Sequence, residues 1–162
     1  MSNSWGGGGF SQALADAITE AKQAGILFVA AAGNESNNND ARPTYPAGYT
    51  MDNVLSVAAI DNKDMTASWS NYGQRTVHLG APGVNIMSST PGNRYESLSG
   101  TSMACPHVAG AAALLWSANR QMNYAEIKQR LTSTVEPTRI LMRKTISGGR
   151  LNIYNALMNR IP

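Results

Sequence analysis

Residues 98–110 read Leu98-Ser99-Gly100-Thr101-Ser102-Met103-Ala104-Cys105-Pro106-His107-Val108-Ala109-Gly110, and they lead directly into Ala111-Ala112-Ala113-Leu114-Leu115-Trp116. The first part begins in small, turn-forming residues, and the second predicts a helix that is apolar on nearly every side. Such a helix is normally buried in the middle of a domain. Thr101 or Ser102 can cap its first turn, and Pro106 falls early enough to be tolerated near the helix start.

This arrangement predicts a serine hydroxyl, that of Ser102, at the positive end of a buried helix. Backbone N–H groups without a helical partner lie beside it, so an oxyanion formed by attack on a carbonyl would be stabilised there. On Gly100-Thr101-Ser102 alone, a serine that only caps a core helix is the simpler interpretation.

The longer string from Gly100 to Gly110 closely resembles the nucleophile motif of subtilisin-like serine proteases, Gly-Thr-Ser-Met-Ala-x-Pro-His-Val-Ala-Gly. Every position fits, with Cys105 at a small-residue position that varies between relatives. The resemblance implies an endopeptidase that hydrolyses peptide bonds through an acyl-enzyme on Ser102. It also implies an α/β fold of three layers, a mostly parallel sheet with helices on both faces. His107 would serve packing, because it lies on the nucleophile's own helix.

The segment Ala31-Ala32-Gly33-Asn34-Glu35 ends a short apolar run. An Asn after Gly at a strand end is usually a turn residue. The string is, however, similar to the oxyanion segment of the same family. By that resemblance the Asn34 amide and the Ser102 N–H form the oxyanion hole, and Ala31, Ala32 and Gly33 bind substrate.

Two further segments resemble substrate-binding parts of the family. The first resembles, though not at every position, the segment that pairs with the substrate backbone, and it reads Asn3-Ser4-Trp5-Gly6-Gly7. This resemblance implies substrate-binding roles for Ser4, Trp5, Gly6 and Gly7. A phosphate cradle is a weak alternative for this glycine run, since no Lys-Ser or Lys-Thr follows it. Thr44 and Tyr45 match the far wall of the primary specificity pocket.

Hydrophobic periodicity predicts the scaffold around these motifs. The predicted elements are a helix from the cap Ser11 to about Gly25, a buried parallel strand at 26–31, a strand at 54–60, a helix capped by Asn123 and a last helix to about Asn159. The last helix follows Gly148–Asn152, which resembles the closing segment of the family. His78, a lone histidine among apolar neighbours, is interpreted as a structural residue rather than a base.

The partners of the nucleophile are not found. In subtilisin the triad follows the order Asp, His, Ser along the chain, and no Asp-Ser/Thr-Gly and no His-Gly-Thr-His occur here. We therefore expect residues 1–162 to form a single, incomplete catalytic domain whose amino-terminal half is absent. A serine without a base is a poor nucleophile at neutral pH, so the chain alone should be inactive. The alternatives are a non-catalytic peptide-binding module and a half-domain complemented by a separate chain that supplies Asp and His.

Composition narrows the class of protein and the kinds of partner that we expect. Apolar residues make up 43% of the 162 residues, which is typical of a globular chain, and no apolar run is long enough to span a membrane. The net charge of +3 includes the late basic residues Arg139, Arg143, Lys144 and Arg150. We interpret them as a solvated face, and we expect neither nucleic acid nor membrane as a partner.

The other expectations about partners follow from the family resemblance. The resemblance implies a polypeptide substrate, and the missing half or a second copy of the chain as further partners. Calcium is typical of the family, but its main sites depend on the absent half, so no metal ligand is assigned here. No secretory signal opens the chain, and an extracellular location is expected from the resemblance alone. The single Cys105 cannot form an internal disulfide.

Overall fold

The computed structural model describes all residues from Met1 to Pro162. The strands are β1 (Ser2–Asn3), β2 (Phe28–Ala31), β3 (Val54–Ile60), β4 (Leu79–Pro82), β5 (Ile86–Thr90), β6 (Arg94–Leu98), β7 (Glu136–Pro137) and β8 (Gly149–Arg150). The helices are α1 (Gln12–Gln23), α2 (Thr101–Ala118), α3 (Tyr124–Ser133) and α4 (Ile153–Met158), with a 3₁₀ turn at Leu141–Arg143.

Six strands form one sheet in the order β1-β2-β3-β4-β8-β7, and β5 and β6 form a separate antiparallel hairpin. All neighbours in the large sheet are parallel except β7 and β8. The register places Ala31 beside Val57 and Val57 beside Leu79. The carboxyl ends of the central strands therefore lie at one edge of the sheet, where open α/β sheets bind ligands.

The central strands are covered on both faces, because their alternate side chains enter two separate cores. Val29, Leu55 and Val57 join a cluster with the buried side of α2, whereas Phe28 and Val54 pack with Ile18 of α1 and with the segment around Tyr49. The predicted fold class, a mostly parallel sheet between helical layers, is confirmed.

Local sequence signals predict the starts of α1 and α3 correctly. The Ser11 hydroxyl accepts a hydrogen bond from the Leu14 N–H at the start of α1. Asn123 and Glu126 form a reciprocal capping box at the start of α3. The strand predicted from residue 26 begins two residues later, because the Ile26 N–H donates to the Ala21 carbonyl and remains tied to the end of α1.

Helix α2 differs from its prediction in two respects. Its cap residue is Gly100, which has no side chain to offer, and neither Thr101 nor Ser102 caps the helix. One side of the helix is also open, since Leu114 is 45% exposed and Pro106 and Gly110 are exposed too. The helix is apolar all round, but within this chain it is packed on one face only.

The β5–β6 hairpin, which no sequence pattern above predicts, leads directly into α2. The chain then bends back at Gly100, whose N–H donates to the carbonyl of Gly83 at the end of β4. This contact fixes the start of α2 at the carboxyl edge of the sheet. None of the helices combines the length and the apolar character that crossing a membrane requires.

Candidate active site

Ser102 is the second residue of α2 and is half-buried. Its hydroxyl donates a hydrogen bond of 2.8 Å to the Ser4 carbonyl, and the Ser4 hydroxyl donates one of 2.8 Å to the Ser102 carbonyl. This reciprocal pair joins the start of α2 to the amino-terminal segment. It also means that the Ser102 proton points to a peptide oxygen, which cannot act as a general base.

Asn34 lies in the turn that follows β2, and its side chain replaces the missing cap of α2. The Asn34 Oδ1 accepts hydrogen bonds from both the N–H and the hydroxyl of Thr101, each at 2.9 Å. The buried Thr101 hydroxyl in turn accepts from the Gly33 N–H at 3.1 Å. Because Oδ1 is the atom that is held, the orientation of the amide is fixed, and its Nδ2 donates to no atom of the chain.

The Ser102 N–H belongs to the first turn of α2 and likewise has no partner in the chain. Both free donors flank Gly100. A Cβ at that residue would lie 3.6 Å from the Ser102 nitrogen and 3.8 Å from the Asn34 Nδ2. The structure therefore brings together, at one helix start, a serine hydroxyl and two unpaired N–H groups.

The turn that carries Asn34 is organised by Asn71, a fully buried residue for which the sequence predicts no role. The Asn71 Oδ1 accepts from the N–H groups of Glu35 and Asn37, each at 2.9 Å. Its Nδ2 donates to the Ala32 carbonyl at 3.0 Å and to the Glu35 Oε2 at 2.8 Å. The segment Ser68–Gly73 that contains it resembles a further motif of the same family, but the sequence does not show which distant backbone groups its amide will satisfy.

Gly33 is the point at which this turn needs glycine. Its φ is +109°, a conformation that other residues rarely adopt, and a Cβ there would lie 2.3 Å from the Asn71 Nδ2. Ala31 and Ala32, which precede it, are buried. Of the three residues assigned to substrate binding in this segment, only Gly33 is partly exposed.

The amino-terminal segment is the second part of the predicted substrate-binding region. Ser4, Trp5, Gly6 and Gly7 are all exposed, and Trp5 is 54% exposed. The Gly7 N–H donates to the Tyr45 carbonyl at 3.0 Å, which joins the two segments that the family resemblance assigns separately to substrate binding. Between them lies a cavity of about 440 Å³, which we call the polar cavity. It is lined by Gly7, Gly8, Glu35, Asn37, Arg42, Pro43 and Thr44.

A second cavity, of about 480 Å³, adjoins Ser102 on the side of the hairpin. We call it the hairpin cavity. Its lining residues are Ile86, Met87, Ser88, Ser89, Leu98, Ser102, Met103, Pro106 and His107. Met87 is 66% exposed and Leu98 is 40% exposed, so apolar surface lies open to solvent next to the serine.

No base contacts Ser102. The His107 Nδ1 is hydrogen-bonded to the Met103 carbonyl one turn earlier in α2. His78 accepts a hydrogen bond from the Ser56 N–H on its Nδ1, and burial lowers its pKa to about 3, so it is neutral and structural as expected. The side chains of the aspartates bind elsewhere: Asp16 to Gln12, Asp40 to Thr76, Asp52 to Lys22, Asp61 to its own turn, and Asp64 to Arg150.

A calcium site is not assembled from the carboxylates of this chain. Calcium takes six to eight oxygen ligands, and no group of three or more His, Cys, Asp or Glu side chains is placed to hold a metal ion. The expectation about calcium stays a prediction. Among the late basic residues, Arg150 pairs with Asp64 at 2.9 Å and Lys144 lies over the Tyr72 ring.

The fold and this helix start define a class of protein, the α/β domains of subtilisin-like peptidases. Comparison with known sequences is in agreement: residues 1–154 match the subtilase family, and the chain belongs to that family. It is 38% identical over 160 residues to subtilisin-like protease 2 of Plasmodium falciparum, covering 96% of this chain and 12% of that protein. It is 44% identical over 132 residues to subtilisin DY of Bacillus licheniformis, covering 81% of this chain and 47% of that protein.

A solved structure gives the same result for the fold. The prenylagaramide maturation protease PagA superposes with a TM-score of 0.84 at 28% identity, over 99% of this chain and 62% of that chain. A third relative, the thermostable alkaline protease of Halalkalibacterium halodurans, is 47% identical over 76% of this chain and 33% of its own length. The chain thus spans less than half the length of each of these three sequence relatives.

Proposed function

We propose that this chain is the nucleophile-bearing part of a subtilisin-type serine endopeptidase, acting on polypeptides. The observation that carries the proposal is the start of α2. There the Ser102 hydroxyl is at the same helix start as two N–H donors, the Ser102 N–H and the Asn34 Nδ2, which have no partner in the chain.

In the proposed reaction the Ser102 Oγ attacks the carbonyl carbon of the scissile peptide. The Asn34 Nδ2 and the Ser102 N–H donate to the oxygen as it becomes negative, and the positive end of α2 adds to the stabilisation. The tetrahedral intermediate collapses to an acyl-enzyme as the amine leaves, and water then releases the acyl group. The substrate lies between the Ser4–Gly7 segment and the Gly33 turn.

The step that this chain cannot complete is removal of the proton from Ser102. Its hydroxyl donates to a peptide carbonyl, and no imidazole contacts it. We therefore propose that the isolated chain has little or no peptidase activity. The base has to come from another segment of the same protein or from a separate chain.

The hairpin cavity favours complementation over a purely peptide-binding module. It places exposed apolar side chains, those of Met87 and Leu98, directly beside Ser102. A segment that docks there would cover this surface and could carry an imidazole to the serine. A peptide-binding module would need only the exposed Ser4–Gly7 segment and would leave this apolar surface without a role. An extracellular location remains a proposal from the family resemblance.

The experiment is to place a segment with the subtilisin-type Asp and His motifs in front of residue 1 and to measure hydrolysis of an unstructured protein. We expect activity that Ser102→Ala abolishes. The matched variant is Asn34→Asp, which keeps the Oδ1 that caps α2 but removes the N–H donor. Its turnover should fall about 100- to 1,000-fold, the loss measured in subtilisin when its oxyanion-hole asparagine is removed. Activity that survives Ser102→Ala would overturn the proposal.

A further inference from the structure

A small cavity lies where β3 and β4 begin, at the end of the sheet opposite to the carboxyl edge that carries Ser102. Its volume is about 150 Å³, and we call it the lysine cavity, after Lys128 of α3. The other lining residues are Ala47, Gly48, Tyr49, Thr50, Met51, Asp52, Arg75, Thr76 and His78. A water molecule in the liquid takes about 30 Å³, so the cavity has room for a small organic group.

The Lys128 side chain reaches from α3 to the start of β3 and ends on two peptide carbonyls. Its Nζ donates to the Asp52 carbonyl at 2.9 Å and to the Val54 carbonyl at 2.6 Å. A neutral amine has two N–H groups, and these two acceptors engage both of them. Because the nitrogen is tetrahedral, the lone pair of the neutral form points away from both carbonyls and is left free for an electrophile.

The charged groups around Lys128 do not neutralise it. The Asp52 carboxylate lies close by, but it pairs with Lys22 of α1 at 3.0 Å and accepts from the Tyr124 hydroxyl at 3.1 Å. Lys128 itself forms no ion pair and is half-buried. This burial lowers the pKa of Lys128 to about 8, although the Asp52 charge opposes the shift. A lysine that is partly neutral at physiological pH acts as a nucleophile.

Two further groups line the cavity and can act on an electrophile. The His78 Nδ1 accepts from the Ser56 N–H, so the neutral imidazole carries its proton on Nε2 and is an N–H donor. A donor of this kind polarises a carbonyl oxygen. The exposed Arg75 side chain has one ion-pair contact, a long one of 3.9 Å from its Nε to the Asp40 carboxylate. Its other guanidinium N–H groups are free to bind an anion.

We propose that Lys128 is a site of covalent acylation, at which a small acyl phosphate such as acetyl phosphate transfers its acyl group to Nζ. The acyl group enters the lysine cavity, and its carbonyl oxygen accepts from the His78 Nε2–H. The phosphate stays at the exposed side, against Arg75. An acyl donor with a large leaving group does not fit into the cavity, but a phosphate on its exposed side needs no further room.

The reaction needs no other reagent. The Nζ lone pair forms the new bond to the acyl carbon, and the bond from that carbon to the phosphate oxygen breaks, with its electron pair leaving on the phosphate. The nitrogen then releases a proton to solvent. The products are N-acyl-lysine and inorganic phosphate. The amide has one N–H where the amine had two, so either the Asp52 or the Val54 carbonyl loses its donor.

The experiment compares acetylation rates of two lysines in the same chain. The folded 162-residue chain is incubated with acetyl phosphate at neutral pH, and mass spectrometry of its proteolytic peptides gives the rate at each lysine. Lys63, exposed in the turn after β3, is the internal reference. We expect Lys128 to react about tenfold faster than Lys63, and its rate to rise with pH and to level off above a pH of about 8.

The expected factor follows from two opposing effects. The fall of the pKa from 10.5 to about 8 raises the neutral fraction of Lys128 at neutral pH by on the order of a hundredfold. The lower basicity of the amine and its partial burial offset part of this gain, which leaves about tenfold.

Two controls assign the effect to the folded cavity and to the phosphate. In denaturing urea, the two lysines should react at rates within about twofold, because the burial that lowers the pKa is lost. Arg75→Ala should slow the reaction of Lys128 with acetyl phosphate about threefold at low salt, and it should leave the reaction with uncharged acetic anhydride unchanged. Circular dichroism shows that the variant is folded.

Each possible failure has a definite meaning. If Lys128 reacts no faster than Lys63 with either reagent in the folded chain, the acylation site is overturned. If acetic anhydride favours Lys128 but acetyl phosphate does not, or if Arg75→Ala changes neither rate, acyl phosphates are not the donors and the proposal fails. None of these results bears on the proposed peptidase function, because Lys128 contacts neither Ser102 nor Asn34.

Discussion

Replacing Asn71 by alanine should destabilise the whole edge of the sheet at which Ser102 and Asn34 meet. The buried Asn71 amide accepts from two backbone N–H groups, those of Glu35 and Asn37, and donates to the Ala32 carbonyl. The Ala32 carbonyl keeps a second donor, the Asn39 Nδ2 at 2.9 Å. The loss therefore falls mainly on the two N–H groups.

The size of the effect follows from these contacts. A buried donor left without its partner costs about 1–3 kcal/mol. The Asn37 N–H is buried, whereas the Glu35 N–H is only partly buried and costs less, so the total is roughly 2–4 kcal/mol. Water that enters the vacated space brings the value towards the lower end. With typical urea dependences of about 1–3 kcal/mol per molar, the unfolding midpoint should fall by about 1 M or more.

The assay is urea unfolding followed by circular dichroism, with Asn62→Ala as the matched control. Asn62 is exposed in the turn after β3 and makes no side-chain hydrogen bond, so its removal should change the free energy of unfolding by no more than about 0.5 kcal/mol. Asn71→Asp is the finer variant. It keeps an acceptor for the two N–H groups but places a carboxylate against Glu35, so its destabilisation should be relieved on acidification. If Asn71→Ala unfolds at the same urea concentration as Asn62→Ala, Asn71 does not organise the turn.

Three further predictions concern stability and association. Thr101→Val leaves the Gly33 N–H without an acceptor and should cost about 1–2 kcal/mol, whereas Thr50→Val, at an exposed residue, should be nearly neutral; equal midpoints in urea would contradict this. His78 has a pKa of about 3 in the folded chain against an ordinary value of 6.5, so the unfolded state binds the extra proton between these pH values. The contribution of His78 to the free energy of unfolding is complete above pH 6.5, and below that pH it decreases by up to about 1.4 kcal/mol per pH unit. Unfolding measured between pH 7 and 4 should show this slope in the chain and a weaker slope in His78→Asn. Finally, we expect the isolated chain to dimerise, aggregate or pack loosely, because the open face of α2, the hairpin cavity and the free edge of β1 are left uncovered. A clean monomer in light scattering that melts in one sharp thermal transition would contradict this prediction.

Much of the scaffold could be predicted from the sequence because its signals are local. The apolar run Val54–Ile60 and the caps Ser11 and Asn123 depend on residues a few positions apart, and each of these elements formed as expected. The boundary at Ile26 was wrong by two residues, because the end of α1 competes for its N–H.

What the sequence could not provide are the contacts between distant segments. The cap of α2 comes from Asn34, 67 residues earlier in the chain, so a search among neighbouring residues finds only Thr101 and Ser102. The role of Asn71 is of the same kind, since its amide serves backbone groups more than 30 residues away. The motifs located the candidate site, while the hydrogen bonds that hold it depend on the tertiary fold.

Labelling with a fluorophosphonate tests whether Ser102, which has its oxyanion donors, lacks a base in this chain. Only a serine activated by a base reacts quickly with such a probe. The purified 162-residue chain should be labelled no faster than its Ser102→Ala variant, over hours at neutral pH. Rapid, stoichiometric labelling of the chain that is lost in Ser102→Ala would show instead that the chain activates its own nucleophile.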